Sequence, residues 1–514
     1  MTTVDPSVLY GSHRFFLDYI CGVPAASSFF ESGSDDLSAL VERRAVGPAE
    51  RGAIVDRLIE DQEKLASPSA CKRAEALRRP GTFCVVGGQQ AGFLGGPAYT
   101  AYKILSTIRL ARRLSERLAT DVVPVFWLAS EDHDAGEIES VRFIDESGAL
   151  ETIRIDLPQG GRAVESFATD EAMRTTASRL AARVHDTSAR SLFAPQAGDD
   201  YARWHARIWS QVFANEGLIV VEPRSLRPFA GTFFSRAVAA ADAITAALAT
   251  SAAALETAGY PAPLDPRQVG RLFRFDHEGR RVRIDEATPV DEPRLHPERF
   301  SADVALRPVL ADLLLPTIAN VLGPSEIAYH AMLRPLYSLF NVAQPWAVPR
   351  QGYTILSAED AEILHRLGID VAEALAEGFD PEPSLRQRIP RETSAAFDRA
   401  RDTALEALAP LQSLVGPVDP GLEARWRQAR DRVSGEVDGL RARTERALLA
   451  REGLSPRRIR GVLSVLRPSG LPQERVLSFI YFASRFGVEW IRRLPEADSP
   501  DRFAHQVVVL RGET

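Results

Sequence analysis

Residues 81–137 read GTFCVVGGQQAGFLGGPAYTAYKILSTIRLARRLSERLATDVVPVFWLASEDHDAGE, and their order decides the fold. Phe83–Val86 is a short apolar run that ends in Gly87-Gly88-Gln89-Gln90-Ala91-Gly92. Pro97 stands where the first turn of a helix would begin, a position that tolerates a missing N–H. From Tyr99 to Leu118 the residues Tyr102, Leu105, Ile108, Leu110 and Leu114 fall near helical spacing, with Arg and Glu between them. Val122–Ala129 is a second apolar run, of the kind that suits a parallel strand covered on both faces, and it leads straight into Ser130-Glu131-Asp132-His133-Asp134. Strand, glycine-rich loop, helix, strand and charged loop therefore follow in order. In parallel sheets ligands bind beyond the carboxyl ends of the strands, so both loops are expected to open onto one crevice.

Outward from this unit, residues 1–80 read as mostly helical, with helices over Asp36–Arg44 and Ala49–Leu65. On the other side, Ser140–Ile144 and Leu150–Asp156 alternate in polarity around Glu146-Ser147-Gly148, the chemistry of a hairpin. Residues 170–215 return to helix, Leu218–Val221 is a third strand, and an alanine-rich helix spans Ala237–Ala258. Asp242 and Glu256 within that window make it a packed helix of a soluble protein rather than a membrane span. Phe273–Ile284 is hairpin-like. Ser325 is placed to N-cap a helix towards Phe340, which Pro335 should kink or break, and the N–H groups at its start would attract an anion. Gln344–Arg350 reads as a further short strand.

Beyond about residue 390 the pattern changes. Phe397, Ala400, Ala404, Leu408 and Leu411 step by three or four, as do Leu422, Trp426, Ala429, Val433, Val437, Leu440, Thr444 and Ala447. Two helices separated by Gly416-Pro417-Val418-Asp419-Pro420 predict an antiparallel hairpin of the coiled-coil type, with Pro410 kinking or ending the first helix early. The seam suits either an intramolecular hairpin or a dimer. Helix is expected again over Gln473–Leu494, and an apolar strand, Gln506–Leu510, should return to the core. The fold class is thus α/β: a Rossmann-like parallel-sheet core over 1–355 with insertions near 135–215 and 255–300, a helical region over 356–455 carrying an arm at 391–452, and a returning segment over 456–514.

The net charge of −7 over 514 residues, without a lysine- or arginine-rich block, argues against general nucleic-acid binding. Cys21, Cys71 and Cys84 have neither metal-ligand spacing nor a framework of pairs, which fits a reduced cytoplasmic setting. The N-terminus shows no basic stretch followed by an apolar core, so no signal peptide is expected, and no membrane partner.

The glycine-rich loop matches neither a P-loop nor G-x-G-x-x-G. Gln89 and Gln90 offer two adjacent amides for hydroxyls or carboxylates, and Tyr99 and Lys103 share a helix face. In Ser130–Asp134 the crowded carboxylates repel, so unless a cation sits among them at least one should have a raised pKa, and such a group could serve as a general base for an amine. A zinc or iron site is the rival reading, although no second histidine-rich motif accompanies it and no metal is assigned. A solvated acidic loop, or glycines that only make turns, would be the structural alternative. His330 reads as a packed residue, Glu326 and Tyr329 lie within a turn of it, and Arg307 is suited to a carboxylate.

Taken together, Gly88-Gln89-Gln90-Ala91-Gly92 with Gly96-Pro97 and Tyr99…Tyr102-Lys103, Pro124-Val125-Phe126-Trp127 into Ser130–Asp134, Leu306-Arg307-Pro308, Leu315-Pro316-Thr317, Gly323-Pro324-Ser325-Glu326-Ile327-Ala328-Tyr329 and Gln473-Glu474-Arg475 resemble the BshC family, the cysteine-adding enzymes of bacillithiol biosynthesis. The resemblance implies a Rossmann-like core, a coiled-coil arm that makes a homodimer, and the joining of L-cysteine to glucosaminyl-malate. From the chemistry of the charged loop, the expected catalytic set is Glu131, Asp132 and His133. The expected substrate contacts are Gly88, Gln89, Gln90, Gly92, Gly96, Tyr99, Lys103, Ser130, Asp134, Arg307, Gly323, Glu326 and Tyr329, with cysteine's activated carboxyl near the glycine-rich loop. In that scheme Asp132 or His133 deprotonates the sugar amine while Lys103 and Arg307 hold malate's carboxylates. Amide formation in water needs an activated carboxyl, so ATP with Mg is expected although no nucleotide motif is present. At Ala311, near Met332 and in Gly259-Tyr260-Pro261 the chain lacks glutamines usual in the family, which leaves a related amino sugar or another carboxylate open as substrate. A metal-dependent hydrolase and a non-catalytic coiled-coil scaffold are the competing classes.

Overall fold

The computed structural model describes residues 2–31, 33, 37–44, 50–145, 147–285, 287–496 and 502–512. The expected helix starts at Asp36 and Ala49 and the turn residue Glu146 lie outside them. The chain forms two compact units, one from Met1–Phe143, Glu151–Ile355 and Leu471–Thr514, the other from Ile144–Leu150 and Leu356–Gly470.

The first unit is built on five parallel strands: β1 (Phe83–Gln89), β2 (Val122–Leu128), β3 (Ile219–Val221), β4 (Thr317–Leu322) and β5 (Trp346–Pro349), in the order β5-β4-β1-β2-β3. The chain steps outward from β1 to β3 and then returns to the other side of β1. The strand order therefore reverses between β1 and β4, which is where sheets of this class open a crevice. Helix α1 (Tyr99–Leu118) packs its apolar stripe on β1, so that Leu110 and Leu114 join Phe83, Val85, Val122, Ile318 and Val348 in one core cluster. The β3 edge is closed by a side chain: the Gln62 amide donates to Val220 O at 2.9 Å and accepts from Val220 N at 3.1 Å.

Two further sheets frame this core. Leu272–Phe275, Arg281–Arg283 and Phe300–Ala302 form an antiparallel sheet within one insertion. Thr2–Val4 and His505–Leu510 pair antiparallel beside Gly352–Ser357, so the returning tail is a strand as expected. The alanine-rich segment is not one helix. It breaks at Ala240 into Gly231–Ala239 and Ala241–Thr257, bent by 76°. Among the described residues no single helix is long and apolar enough to cross a membrane.

The expected helix over Gln473–Leu494 is also interrupted. Gln473–Val476 and Phe479–Phe486 are separate helices, and Val488–Arg493 is a 3-10 turn. Tertiary hydrogen bonds outcompete the helical ones between them: Ala98 N donates to Leu477 O at 2.9 Å, Phe479 N to Gly96 O at 2.8 Å, and Arg142 N to Ser478 Oγ at 2.9 Å. Gly487, at φ 75°, ends the middle piece.

In the second unit, helices Arg391–Val415 and Pro420–Arg451 form the expected hairpin. Pro410 neither ends nor shortens the first of them. It costs that helix about 3 kcal/mol on an exposed face, against pairing along the length of its neighbour. The seam is incomplete within one chain, since Leu414, Val418 and Leu440 remain more than half exposed.

Three buried histidines carry a pH consequence. Burial pulls His205, His330 and His505 down to about 4. In His205, Nε2 accepts from Leu94 N at 3.1 Å and Nδ1 bonds Tyr201 O at 2.7 Å, so both nitrogens are occupied in the neutral ring. The folded pKa lies below the unfolded one, so the unfolded chain takes up a proton that the native ring refuses. Each such histidine therefore lowers stability by about 1.4 kcal/mol per pH unit as pH falls from about 6.5 to 4. His205→Gln is expected to flatten the pH dependence of unfolding free energy by that slope in urea titrations. A slope equal to that of the unaltered protein would refute the assignment.

Candidate functional site

At the strand reversal the loops after β1, β2 and β4 enclose a cavity of about 630 Å³. Its glycine-rich wall depends on a close approach. A side chain at Gly87 would lie 2.4 Å from Thr107 Oγ1, so only glycine lets α1 come near enough for Lys103 to reach the end of β1. There the Lys103 ammonium donates to Gly88 O at 2.7 Å, Gln89 Oε1 at 2.9 Å and Glu326 Oε2 at 2.5 Å. An ammonium has three donors, and all are spent. Burial lowers the Lys103 pKa, with Glu326 opposing. Burial pushes Glu326 up, but Lys103 outweighs it and holds the carboxyl below its ordinary value.

Glu326 also accepts from Gly323 N at 2.7 Å. The N-cap of α2 (Pro324–His330) is thus Gly323 and not Ser325, and the carboxylate of the helix's own first turn already takes the place foreseen for an anion. The helix stops at His330, and Arg334–Phe340 begins anew around Pro335.

The charged loop after β2 meets an arginine cluster. Glu131 is buried, with Arg307 at 3.7 Å and Arg227 at 3.8 Å; burial raises its pKa against the pull of Arg281, Arg227 and Arg307. Asp132 lies 3.8 Å from Arg307 and 3.9 Å from Arg281, and Gln90 Nε2 donates to it at 3.3 Å. Burial pushes Asp132 up as well, but Arg307 and Arg281 prevail and hold it below the usual range. Arg281 Nη1 lies 3.4 Å from His133 Nδ1. A guanidinium only donates, so Nδ1 is the accepting nitrogen at this contact and Nε2 is the one that bears the ring N–H. Arg281 itself comes from the insertion sheet and stacks on Phe273 at 4.3 Å.

Glu137 lies on the same wall, and burial followed by the charges of Asp134 and Asp132 holds its carboxyl above the ordinary value. Two carboxylates on one wall are therefore driven apart in pKa, the pattern that separates acid–base roles. The guanidinium of Arg307 makes no hydrogen bond among the described residues, and its ion contacts are long. Among those residues no group of three or more His, Cys, Asp or Glu is placed to hold a metal ion.

Of the residues expected at the site, Gly88, Gln89, Gln90, Tyr99, Lys103, Asp132, His133, Asp134, Arg307, Gly323, Glu326 and Tyr329 line the cavity. Glu131, Ser130, Gly92 and Gly96 do not. Glu131 and Ser130 are buried behind the wall. Gly92 and Gly96 pack against each other, where a side chain on Gly92 would meet Gly96 Cα at 2.6 Å; they shape the turn. Lys103 is not free to hold a substrate carboxylate. Glu137, Arg281, Arg350 and Arg475 were not among the expected site residues, although Arg475 belongs to a block that carries the family resemblance. Glu137 carried a signal, three residues beyond the charged run, whereas the arginines are brought in by distant segments. Ala311, where the resemblance led to the expectation of a glutamine, is on the lining.

Comparison with known proteins divides the chain once, near residue 352, and so groups the returning tail with the coiled-coil part rather than with the first unit. The model described as "Bacillithiol biosynthesis BshC, N-terminal Rossmann-like domain" matches residues 3–351, and the BshC C-terminal coiled-coil domain matches 353–510. A Geobacillus kaustophilus protein named "Putative cysteine ligase BshC" is 31% identical, covering 96% of this chain and 97% of its own. Proteins of that name from Anoxybacillus flavithermus and Koribacter versatilis are 30% and 29% identical, covering 98% and 94% of this chain and 99% and 95% of their own.

Proposed function

We propose, from the premise that this chain belongs to the BshC family of bacillithiol biosynthesis, that it is a cysteine ligase whose cavity joins L-cysteine to the amine of glucosaminyl-malate. The observation that carries the reading is one wall that presents a guanidinium with long ion contacts and no hydrogen bond among the described residues, Arg307, beside carboxylates of divergent pKa. As the amine nitrogen bonds to the activated carbonyl carbon it must lose a proton. A raised carboxylate is the better acceptor, so the base in this reading is Glu137 rather than Asp132. Asp132 stays ionised and fixes Arg307 and Gln90, Glu131 braces the arginines from behind, and His133 offers its Nε2 proton to a substrate oxygen. Arg307 takes a carboxylate of malate, without the help of Lys103, whose donors are spent.

Activation of cysteine's carboxyl is a separate matter. The cavity does not fit a nucleotide's phosphates: the start of α2 is occupied by Glu326, and the glycine-rich turn carries no phosphate-loop lysine. ATP with Mg remains the expected activating agent.

The incomplete seam of the arm supports a homodimer, with Leu414, Val418 and Leu440 covered by a second copy. The free thiols of Cys21, Cys71 and Cys84 and a thiol substrate support a cytoplasmic reaction. The test is mass spectrometry of thiol products from protein of known sedimentation mass, supplied with L-cysteine, glucosaminyl-malate and magnesium, with and without ATP. A dimer that yields the cysteinyl amide is expected. A folded protein that makes none under either condition sinks the ligase reading, and a monomer mass sinks the dimer.

A further inference from the structure

The tripeptide Gln473-Glu474-Arg475 has no part in the scheme above, yet the fold builds it into the cavity. Its short helix turns each successive side chain by about 100°, and the three residues face three environments. The Gln473 amide is buried and pairs with one backbone unit of the neighbouring segment, accepting from Ile355 N at 2.7 Å and donating to Ile355 O at 2.9 Å. Glu474 is fully buried and takes Arg350 in a fork, at 2.5 and 2.9 Å, while Tyr10 Oη donates to it at 2.6 Å. Arg475, between these anchors and Val476, is exposed and lines the cavity.

The cations of the cavity differ in what they have left to give. Lys103 is saturated. Arg350 spends Nη1 and Nη2 on Glu474 and lies over the Tyr99 ring at 5.6 Å. Arg475 has no ion pair or side-chain hydrogen bond among the described residues, so its whole fork is open to a ligand. Its charge is nevertheless felt on the lining, at Tyr99 and Glu137. A planar guanidinium with free donors, on a backbone pinned at both neighbouring side chains, suits a carboxylate in bidentate geometry at little ordering cost.

We propose that Arg475 is a specificity-determining residue that binds a carboxylate of the amine-bearing substrate, and that Gln473 and Glu474 position it. The assignment rests on the reading of this cavity as the ligation site, with Arg307 and Arg475 together accounting for a dicarboxylate. The test separates the two claims by measuring binding without turnover. Calorimetry is run with glucosaminyl-malate, with a methyl glucosaminide that lacks malate, and with L-cysteine, on the unaltered protein, Arg475→Ala and Arg475→Lys. Arg475→Ala is expected to weaken glucosaminyl-malate by about 10- to 100-fold, the worth of a hydrogen-bonded charge, with Arg475→Lys between. The other two ligands should bind all three proteins alike. For the positioning role, Glu474→Gln should raise KM for glucosaminyl-malate while leaving KM for cysteine in place. Equal binding of glucosaminyl-malate to Arg475→Ala and the unaltered protein overturns the proposal, as does no binding to either or a loss shared by all ligands. An equal rise in both KM values overturns the positioning role. A protein that shows the Arg475 effect in binding but forms no product refutes the ligase reading and leaves this carboxylate site standing.

Discussion

Glu137→Gln is expected to lower kcat by roughly 10²- to 10⁴-fold, the usual worth of a positioned general base, with KM for both substrates nearly unchanged. Glutamine keeps the size and one hydrogen-bonding oxygen of the side chain, so the wall keeps its shape while the proton acceptor is lost. The direction of the pKa shifts makes the prediction specific. Glu137 is held up by burial and by Asp134 and Asp132, so its proton leaves at a higher pH than an ordinary carboxyl's. The acid limb of the kcat profile should therefore lie above the normal glutamate range. Asp132, held down by Arg307 and Arg281, is already ionised there and contributes no limb of its own. In Glu137→Gln that limb should vanish along with the rate. If the rate and the limb both survive, the proton goes elsewhere, and His133→Ala becomes the next variant to measure. Asp132→Asn should behave differently. Losing that charge releases Arg307 and Gln90, so KM should rise along with the fall in kcat.

The strand–loop–helix–strand unit was legible because each of its elements carries its own apolar pattern. α1 runs from Tyr99 to Leu118 as read, and β1 and β2 differ from the reading only at their ends. Both loops were placed at one crevice by topology alone, and they do share it. What failed to show was whatever depended on a distant partner. Helical spacing put Lys103 at the site end of α1, which holds. Nothing local revealed that Glu326, 223 residues away, would consume its charge. The spacing of Gln473–Leu494 is helical, but the hydrogen bonds that break it come from Ala98, Gly96 and Arg142. Arg281 reaches His133 across 148 residues and an insertion sheet whose hairpin was visible but whose destination was not. The charged loop was likewise legible as a cluster of repelling carboxylates. Which of them rises and which falls is set by burial, which lifts Glu131 against its arginines, and by Arg307 and Arg281, which outweigh burial at Asp132.

The largest stability effect should come from the same kind of distant pairing. Glu474→Ala is expected to destabilise the unit that holds the cavity by about 3–5 kcal/mol, because it strands a buried guanidinium. Arg350 and Glu474 are 3% and 0% exposed as side chains, and the partners converge from both ends of the chain. Tyr10 donates to Glu474, His505 Nδ1 lies 3.4 Å from Tyr10 Oη, and Thr354 Oγ1 lies 2.8 Å from His505 Nε2. The carboxylate's folded pKa is lowered: burial opposes ionisation, but Arg350 more than offsets it. The sign then follows. The pair's stabilisation is present above the unfolded pKa and is lost as pH falls through the folded one, so the deficit of Glu474→Ala should be full at pH 7 and shrink in acid. Urea unfolding at both pH values reads this directly, and a deficit independent of pH would mean that the loss is of packing rather than of charge. The cost of breaking the pair is not its net worth. Removing both charges at once, in Arg350→Met with Glu474→Leu, should restore most of the lost stability, since apolar replacements of a buried pair are often neutral or better. That double variant should still bind glucosaminyl-malate poorly. The fork on Arg350 is what holds the backbone of Arg475 at the cavity wall, and a well-packed leucine does not replace it. Recovered stability with recovered binding would show instead that the ion pair serves the fold alone.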